Sequence, residues 1–221
     1  MNLHHAVAGV VKDVVIVGTG GQGRECLDIA LAMAENGTPI NVQGFLDDDP
    51  SPANEQILAR RGFAIVGTFE TFMKSPGTAE VCIGVGSGAV RLELDQRLRQ
   101  EHIPSPVLIH PASTLGYGVL LSPGTTIWAG ARLTTNIRLG RHVHVNQNVT
   151  VGHDSHLDDF VTANPLAAIS GNVDVGACAT VGAGAVVLQG LTIGSHAMVG
   201  AGAVVIHDVM EKSTVMGVPA K

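Results

Sequence analysis

Every sixth residue from Leu115 to Val205 is aliphatic. The series runs Leu115, Leu121, Ile127 and onward to Ile193, Val199 and Val205, and only Ala163 in it is not Val, Ile or Leu. Two residues before many of these positions stands another small or aliphatic side chain, as at Val119, Ile137, Val143, Val149, Val173 and Ala185. A period of six matches neither an α-helix nor a coiled coil, which repeat at about 3.6 and 3.5 residues. It matches a parallel β-helix, in which each hexapeptide makes one flat side and three sides close a coil of about 18 residues. The periodic side chains then stack inward as one continuous apolar column.

The pattern before this run is different. Val14-Val15-Ile16-Val17 reads as a buried strand, followed by Gly18-Thr19-Gly20-Gly21-Gln22-Gly23 and a helix over Arg24 to Asn36. A second strand over Ile40 to Leu46 ends in Asp47-Asp48-Asp49. Strand, glycine turn, helix and acidic strand end is the arrangement in which backbone N–H groups approach a phosphate and a carboxylate reaches a ribose hydroxyl. Gly20, Gly21, Gly23, Asp47 and Asp48 are therefore the candidate substrate-binding residues. An ordinary tight turn with a solvated acidic loop would look the same. Further strands over 64–66 and 81–85, with helices near 55–61 and 90–100, complete an α/β domain over residues 1–108. A second mononucleotide-binding half is missing, which favours a mononucleotide or nucleoside diphosphate over NAD. The β-helix is expected over 109–221.

In a coil of that length, residues eighteen apart lie one above the other, separated by the strand spacing of about 4.8 Å. His153 then falls between Thr135 and Gly171, Asp154 between Asn136 and Asn172, and His144 under Thr162. His142, His144, His153 and His156 are expected at the surface. Imidazole beside a carboxylate suits general-base chemistry. A glycine one coil above offers an unobstructed N–H to a developing oxyanion. Asp at a β-helix corner also has a plain explanation, since Asn, Asp and Gly favour turns.

Composition narrows the field. Aromatics at 3%, against 28 Gly, fit a narrow core of stacked Val, Ile and Ala. The formal charge of -6, with no basic block, argues against a nucleic-acid partner. No apolar run approaches the roughly 20 residues of a membrane span, and the stretch Met1–Asp13 lacks the features of a signal peptide. Cys26, Cys82 and Cys178 have neither disulfide nor metal spacing. These features point to a cytoplasmic protein with reduced thiols and no bound metal.

Several motifs occur in order along the chain: IVGTGGQGRE (16–25), GFLDD (44–48), LIHPAS (108–113), VGHDS (151–155), SGNVDVG (170–176) and GVPAK (217–221). Together they resemble the PglD/NeuD-type nucleotide-sugar N-acetyltransferases over almost the whole length. The resemblance implies a Rossmann-like α/β domain followed by a left-handed parallel β-helix, and a homotrimer with active sites between subunits. It implies acetyl-CoA as co-substrate and an amino group on a nucleotide-linked sugar as acceptor, with a UDP-4-amino-4,6-dideoxyhexose as the leading choice. His153 corresponds to the catalytic base, Asp154 to its orienting neighbour and Gly171 to the N–H that faces the thioester carbonyl. Thr162 stands where some members carry a second His. Thr162, Gly171, Ala183 and Ala201 are the residues expected beside CoA. A sugar O-acetyltransferase of the sialic-acid type shares this scaffold. A metal enzyme like the γ-carbonic anhydrases and a non-catalytic nucleotide-sugar-binding scaffold are the remaining alternatives.

Overall fold

The apolar run Val14–Val17 becomes the centre of a parallel sheet because it is covered on both faces. In the computed structural model, which describes residues 11–221, β1 spans Lys12–Val17, α1 Gly21–Glu35, β2 Ile40–Leu46, α2 Pro52–Arg60, β3 Ile65–Gly67, α3 Phe69–Lys74, β4 Glu80–Ile83 and α4 Gly88–Gln100. The leader reading made on Met1–Asp13 lies almost wholly outside the described residues. Val14, Ile16, Phe45 and Cys82 meet Cys26, Leu27 and Ile29 of α1 on one face. Val15, Val17, Leu46, Val81 and Ile83 meet Phe69 of α3 and Leu98 of α4 on the other.

All four strands are parallel, in the order β3-β2-β1-β4. The chain steps outward from β1 to β3, then crosses back to lay β4 on the opposite side of β1. Strand order therefore reverses between β1 and β4, and ligands of open α/β sheets bind outside the carboxyl ends at such a point. Gly18 and Gly84 meet there: a Cβ on Gly18 would lie 2.9 Å from the Gly84 carbonyl oxygen.

From Leu108 onward the chain forms two-residue strands every six residues, up to Val204–Val205, with a last pair at Thr214–Val215. They stack into three parallel sheets of seven, six and five strands. The registers Arg138↔His156, His144↔Thr162 and Thr150↔Ala168 realise the eighteen-residue stacking on each face. The hexad positions from Ile127 to Val205 make one apolar core with most of their two-residue-earlier partners, Thr125 and Ser155 being buried polar exceptions. Corners at Asn136, Asn148, Asp154 and Asn172 take φ between 54 and 58°, the left-handed region that short polar side chains tolerate best. Among the described residues no helix is long and apolar enough to cross a membrane.

The α/β domain sits on the seven-stranded face. Leu108, first residue of the first β-helix strand, belongs to the core of the α/β domain together with Trp128. The expected boundary between 108 and 109 thus cuts through one strand shared by both domains. This docking corrects the expectation for two histidines. His142 and His144 point out of the coil yet are fully buried, because a six-residue period separates inside from outside of the coil and says nothing about what covers the outside. Asp95 of α4 holds His142 at 3.0 Å and pairs with Arg141 through both carboxylate oxygens.

Candidate active site

His153 occupies the edge between the six-stranded and five-stranded faces, on the side of the β-helix away from the α/β domain. Its side chain is half-exposed. Nδ1 lies 2.7 Å from Oδ2 of Asp154. An ionised carboxylate can only accept, so Nδ1 carries the hydrogen and Nε2 keeps a free lone pair. The hydrogen bonds from His153 and Asn136 hold the Asp154 carboxyl below the usual carboxylate range. Asn136, one coil below, donates to Oδ1 at 3.2 Å.

The corner is stiff. The Asp154 N–H donates to the Thr135 carbonyl at 3.0 Å, and the His153 carbonyl accepts from Asn172 N–H at 2.7 Å. Buried Ser155 donates to the Ser170 carbonyl and accepts from Val173 N–H. Gly171 stacks over His153 so closely that a Cβ would lie 2.5 Å from Nε2. Its N–H donates to no acceptor among the described residues, whereas the equivalent corner N–H groups of Arg141 and Asp159 are taken by carboxylates. Here the residue with the free N–H is the one that packs against the His153 ring. A cavity of about 430 Å³ opens alongside, lined by Asn136, Arg138, Asp154, Ser155 and His156 among others.

The second group of candidates lies at the carboxyl ends of β1 and β2. Gly20 caps α1 and Gly21 opens it, and both leave open space where a Cβ would stand. Gly23 is different. A Cβ there would run into the Gly18 carbonyl, so this glycine lets helix and strand approach and does not face a ligand. Asp47 accepts from Thr19 N–H at 2.8 Å and from its hydroxyl at 2.6 Å. Burial raises the Asp47 pKa, but these Thr19 bonds outweigh it and hold the carboxyl below its ordinary value. Asp48 accepts from the Phe69 N–H at the start of α3, so its carboxylate serves that helix. The sequence reading missed the loop Gly84–Ser87, which faces the glycine turn across the point of strand reversal. Its signal was present as a second glycine-rich stretch, GVGSG, directly after an apolar strand.

The remaining candidates do not gather at His153 within one chain. Thr162 is 5% exposed and accepts from the Arg91 guanidinium at 2.9 Å. In one chain Thr162 is thus covered by α4 and stands apart from His153. Ala183 and Ala201 are exposed on the edge between the seven-stranded and six-stranded faces. The six-stranded face separates that edge from His153. The glycine loops of the α/β domain lie on yet another side. Among the described residues, no group of three or more His, Cys, Asp or Glu is arranged to hold a metal ion.

Residues 13–98 match the family model of the PglD N-terminal domain. No curated protein matches the chain. Among solved structures, the acetyltransferase domain of PglB from Neisseria gonorrhoeae in complex with acetyl coenzyme A is 31% identical, covers 96% of this chain and 99% of its own, and has a TM-score of 0.83. A His-to-Asn variant of perosamine N-acetyltransferase from Caulobacter crescentus, in complex with CoA and GDP-perosamine, is 28% identical over 96% of this chain and 97% of that one, with a TM-score of 0.85. WeeI from Acinetobacter baumannii is 25% identical over 95% and 99%, with a TM-score of 0.81. These similarities span both domains, and the β-helix is of the left-handed kind. The chain belongs to the PglD/NeuD-type family of sugar N-acetyltransferases.

Proposed function

We propose that this protein transfers the acetyl group of acetyl-CoA to the amino group of a nucleotide-linked amino sugar, with His153 as general base. The observation that carries the reading is the His153–Asp154 pair, whose free Nε2 faces the bare Gly171 corner. In this mechanism the amine attacks the thioester carbonyl and Nε2 takes the proton that the nitrogen loses. The carbonyl electron pair moves to oxygen, where the Gly171 N–H steadies the negative charge. Collapse restores the carbonyl and expels the CoA thiolate, which takes up the proton from the imidazolium. Asp154 holds the ring and balances its transient charge. The thioester is already activated, so no protein nucleophile is required.

The nucleotide of the acceptor is assigned to the mouth between β1 and β4, bordered by Gly20, Gly21 and Gly84–Ser87, with Asp47 behind the turn. This mouth and His153 lie on different sides of one chain's β-helix. A sugar held by its nucleotide would therefore be presented to a second copy of the chain. That geometry supports an oligomer with shared sites, and the homotrimer implied by the family resemblance is the form assigned to it. The small residues Ala183 and Ala201, on their own edge, would line the CoA path of a neighbouring copy. Relatives crystallised with acetyl coenzyme A, and with CoA and GDP-perosamine, support the co-substrate and the acceptor class. The assigned compartment is the cytoplasm, in keeping with the three free cysteines Cys26, Cys82 and Cys178.

The first acceptor to test is a UDP-linked 4-amino-4,6-dideoxyhexose, with GDP-, dTDP- and CMP-linked amino sugars and hydroxyl-only sugars beside it. Release of free thiol from acetyl-CoA should require an amino group. Turnover confined to hydroxyl acceptors would replace this reading by an O-acetyltransferase.

A further inference from the structure

We infer that Arg91 is a positioning residue for the acceptor nucleotide: it clamps the loop after β4 onto the β-helix and so sets the mouth between β1 and β4. The inference rests on the nucleotide assignment made above. Arg91 lies in the first turn of α4 and points back beneath it. Its side chain is fully buried, and no carboxylate pairs with it among the described residues. Burial pulls its pKa down to about 10, so the guanidinium remains charged at neutral pH.

The fork is satisfied by oxygens alone. Nη1 donates to the carbonyls of Val85 and Gly86 at 3.0 and 2.8 Å. Nε donates to the His142 carbonyl at 3.0 Å, and Nη2 to the Phe160 carbonyl at 2.7 Å, the Val161 carbonyl at 3.2 Å and the Thr162 hydroxyl at 2.9 Å. His142 and Phe160 are the same corner in successive coils, both at positive φ. One side chain therefore grips two coils of the β-helix and two consecutive carbonyls of the loop. Gly88 shows how close the loop is pressed, since a Cβ there would lie 2.6 Å from the Phe160 carbonyl oxygen.

A buried cation without a counter-charge is a costly way to join two domains, because apolar residues of equal volume often hold such a junction as well or better. What apolar residues cannot do is fix the direction of a peptide plane. In a trans peptide the C=O of one residue and the N–H of the next point opposite ways. Holding the Val85 and Gly86 carbonyls toward Arg91 turns the N–H groups of Gly86 and Ser87 away from it. Neither N–H finds an acceptor among the described residues. The loop also abuts the glycine turn, where Gly84 nearly touches Gly23. Loss of the clamp would let this wall of the mouth move while leaving the His153 corner, on the far side of the coil, as it is.

The test compares Arg91→Lys, Arg91→Met and Thr162→Val with the unchanged protein. Steady-state kinetics would give kcat and both KM values, and calorimetry would measure binding of UDP and GDP. Arg91→Met should raise the KM for the nucleotide sugar, and the Kd of the nucleoside diphosphate that binds, by about tenfold or more. Arg91→Lys, which keeps charge but not the fork, should fall between, and Thr162→Val should move both constants the same way by about twofold. The KM for acetyl-CoA should stay within about twofold throughout. A folded Arg91→Met protein with unchanged nucleotide constants would overturn the assignment, as would equal losses for both substrates. If Arg91→Met does not fold, Thr162→Val decides on the same criteria. Failure of the unchanged protein to bind any nucleoside diphosphate would instead remove the nucleotide assignment itself.

Discussion

Gly171 stands over the imidazole of His153 with no room for a methyl group, since a Cβ would lie 2.5 Å from Nε2. The ring would have to tilt away, and the Asp154 bond would be strained or lost. Gly171→Ala should therefore lower kcat by about 10²-fold, the scale at which small misplacements of reacting groups act. Thermal unfolding should change little, because the half-exposed His153 ring that the methyl meets can swing into solvent. Near-normal kcat in a folded variant would remove Gly171 from the site.

Asp154 adopts φ 58°, and Asn tolerates this region as well as Asp does. Asp154→Asn should keep the fold while removing the charge beside Nδ1. The amide can present either its oxygen or its NH₂ to the ring, so both tautomer and charge balance are degraded. We expect kcat to fall about 10²-fold, at the low end of what a general base supplies, with KM values and melting temperature nearly unchanged. Unchanged kcat would make Asp154 a turn residue only.

Asp95, Arg141 and His142 predict an acid-sensitive domain junction. The Asp95 side chain is 2% exposed and that of Arg141 23%. Burial alone would raise the Asp95 pKa, but hydrogen bonds from Arg141 and His142 drive it well below the carboxylate range. Its stabilisation is thus complete above the unfolded value of about 4 and is lost as pH falls below it. Burial depresses the pKa of both His142 and His144. The unfolded chain takes up protons on these rings below about pH 6.5 while the folded protein resists, so stability again falls with pH. Asp95→Asn should cost about 3 kcal/mol, toward the lower end for a broken buried pair because Arg141 is partly exposed. Denaturant unfolding between pH 5 and 8 (about the range in which histidine titrates) would check the histidines, and comparison with Asp95→Asn at pH 8 would give the Asp95 contribution. A flat profile would contradict the histidine assignment.

The distance between nucleotide mouth and His153 corner predicts complementation. A chain carrying His153→Ala and another carrying a blocked mouth, such as Gly20→Trp, should each be inactive alone. Refolded together they should regain a fraction of the activity, because mixed oligomers contain some sites with both parts intact. Absence of recovery in demonstrably mixed oligomers would place both functions in one chain.

Periodicity made the β-helix legible residue by residue. Counting in eighteens brings His153, Asp154, Asn136 and Gly171 together from the sequence alone, since stacking in a coil is a matter of arithmetic. The same arithmetic failed for His142 and His144, which face outward yet are buried, His142 against Asp95 of α4 and His144 against Gln22 of α1. A repeat describes the coil's own inside and outside and cannot show a second domain laid against one face. The glycine motif was read too uniformly. Gly20 and Gly21 face open space, whereas Gly23 serves helix–strand contact, a distinction that depends on where the Gly18 carbonyl points. Arg91 was invisible for a similar reason: within a polar helix it looks like any solvated cation, and those of its acceptors that lie on the β-helix are more than fifty residues away.

The most direct test of the account measures acetyl transfer to a nucleotide-linked amino sugar by purified protein and by its His153→Ala variant. Product would be followed by mass spectrometry and thiol release. The account predicts N-acetylated sugar nucleotide from the unchanged protein, and a kcat about 10²–10⁴-fold lower for the variant with both substrates still bound. Full turnover by a correctly folded His153→Ala protein would contradict it.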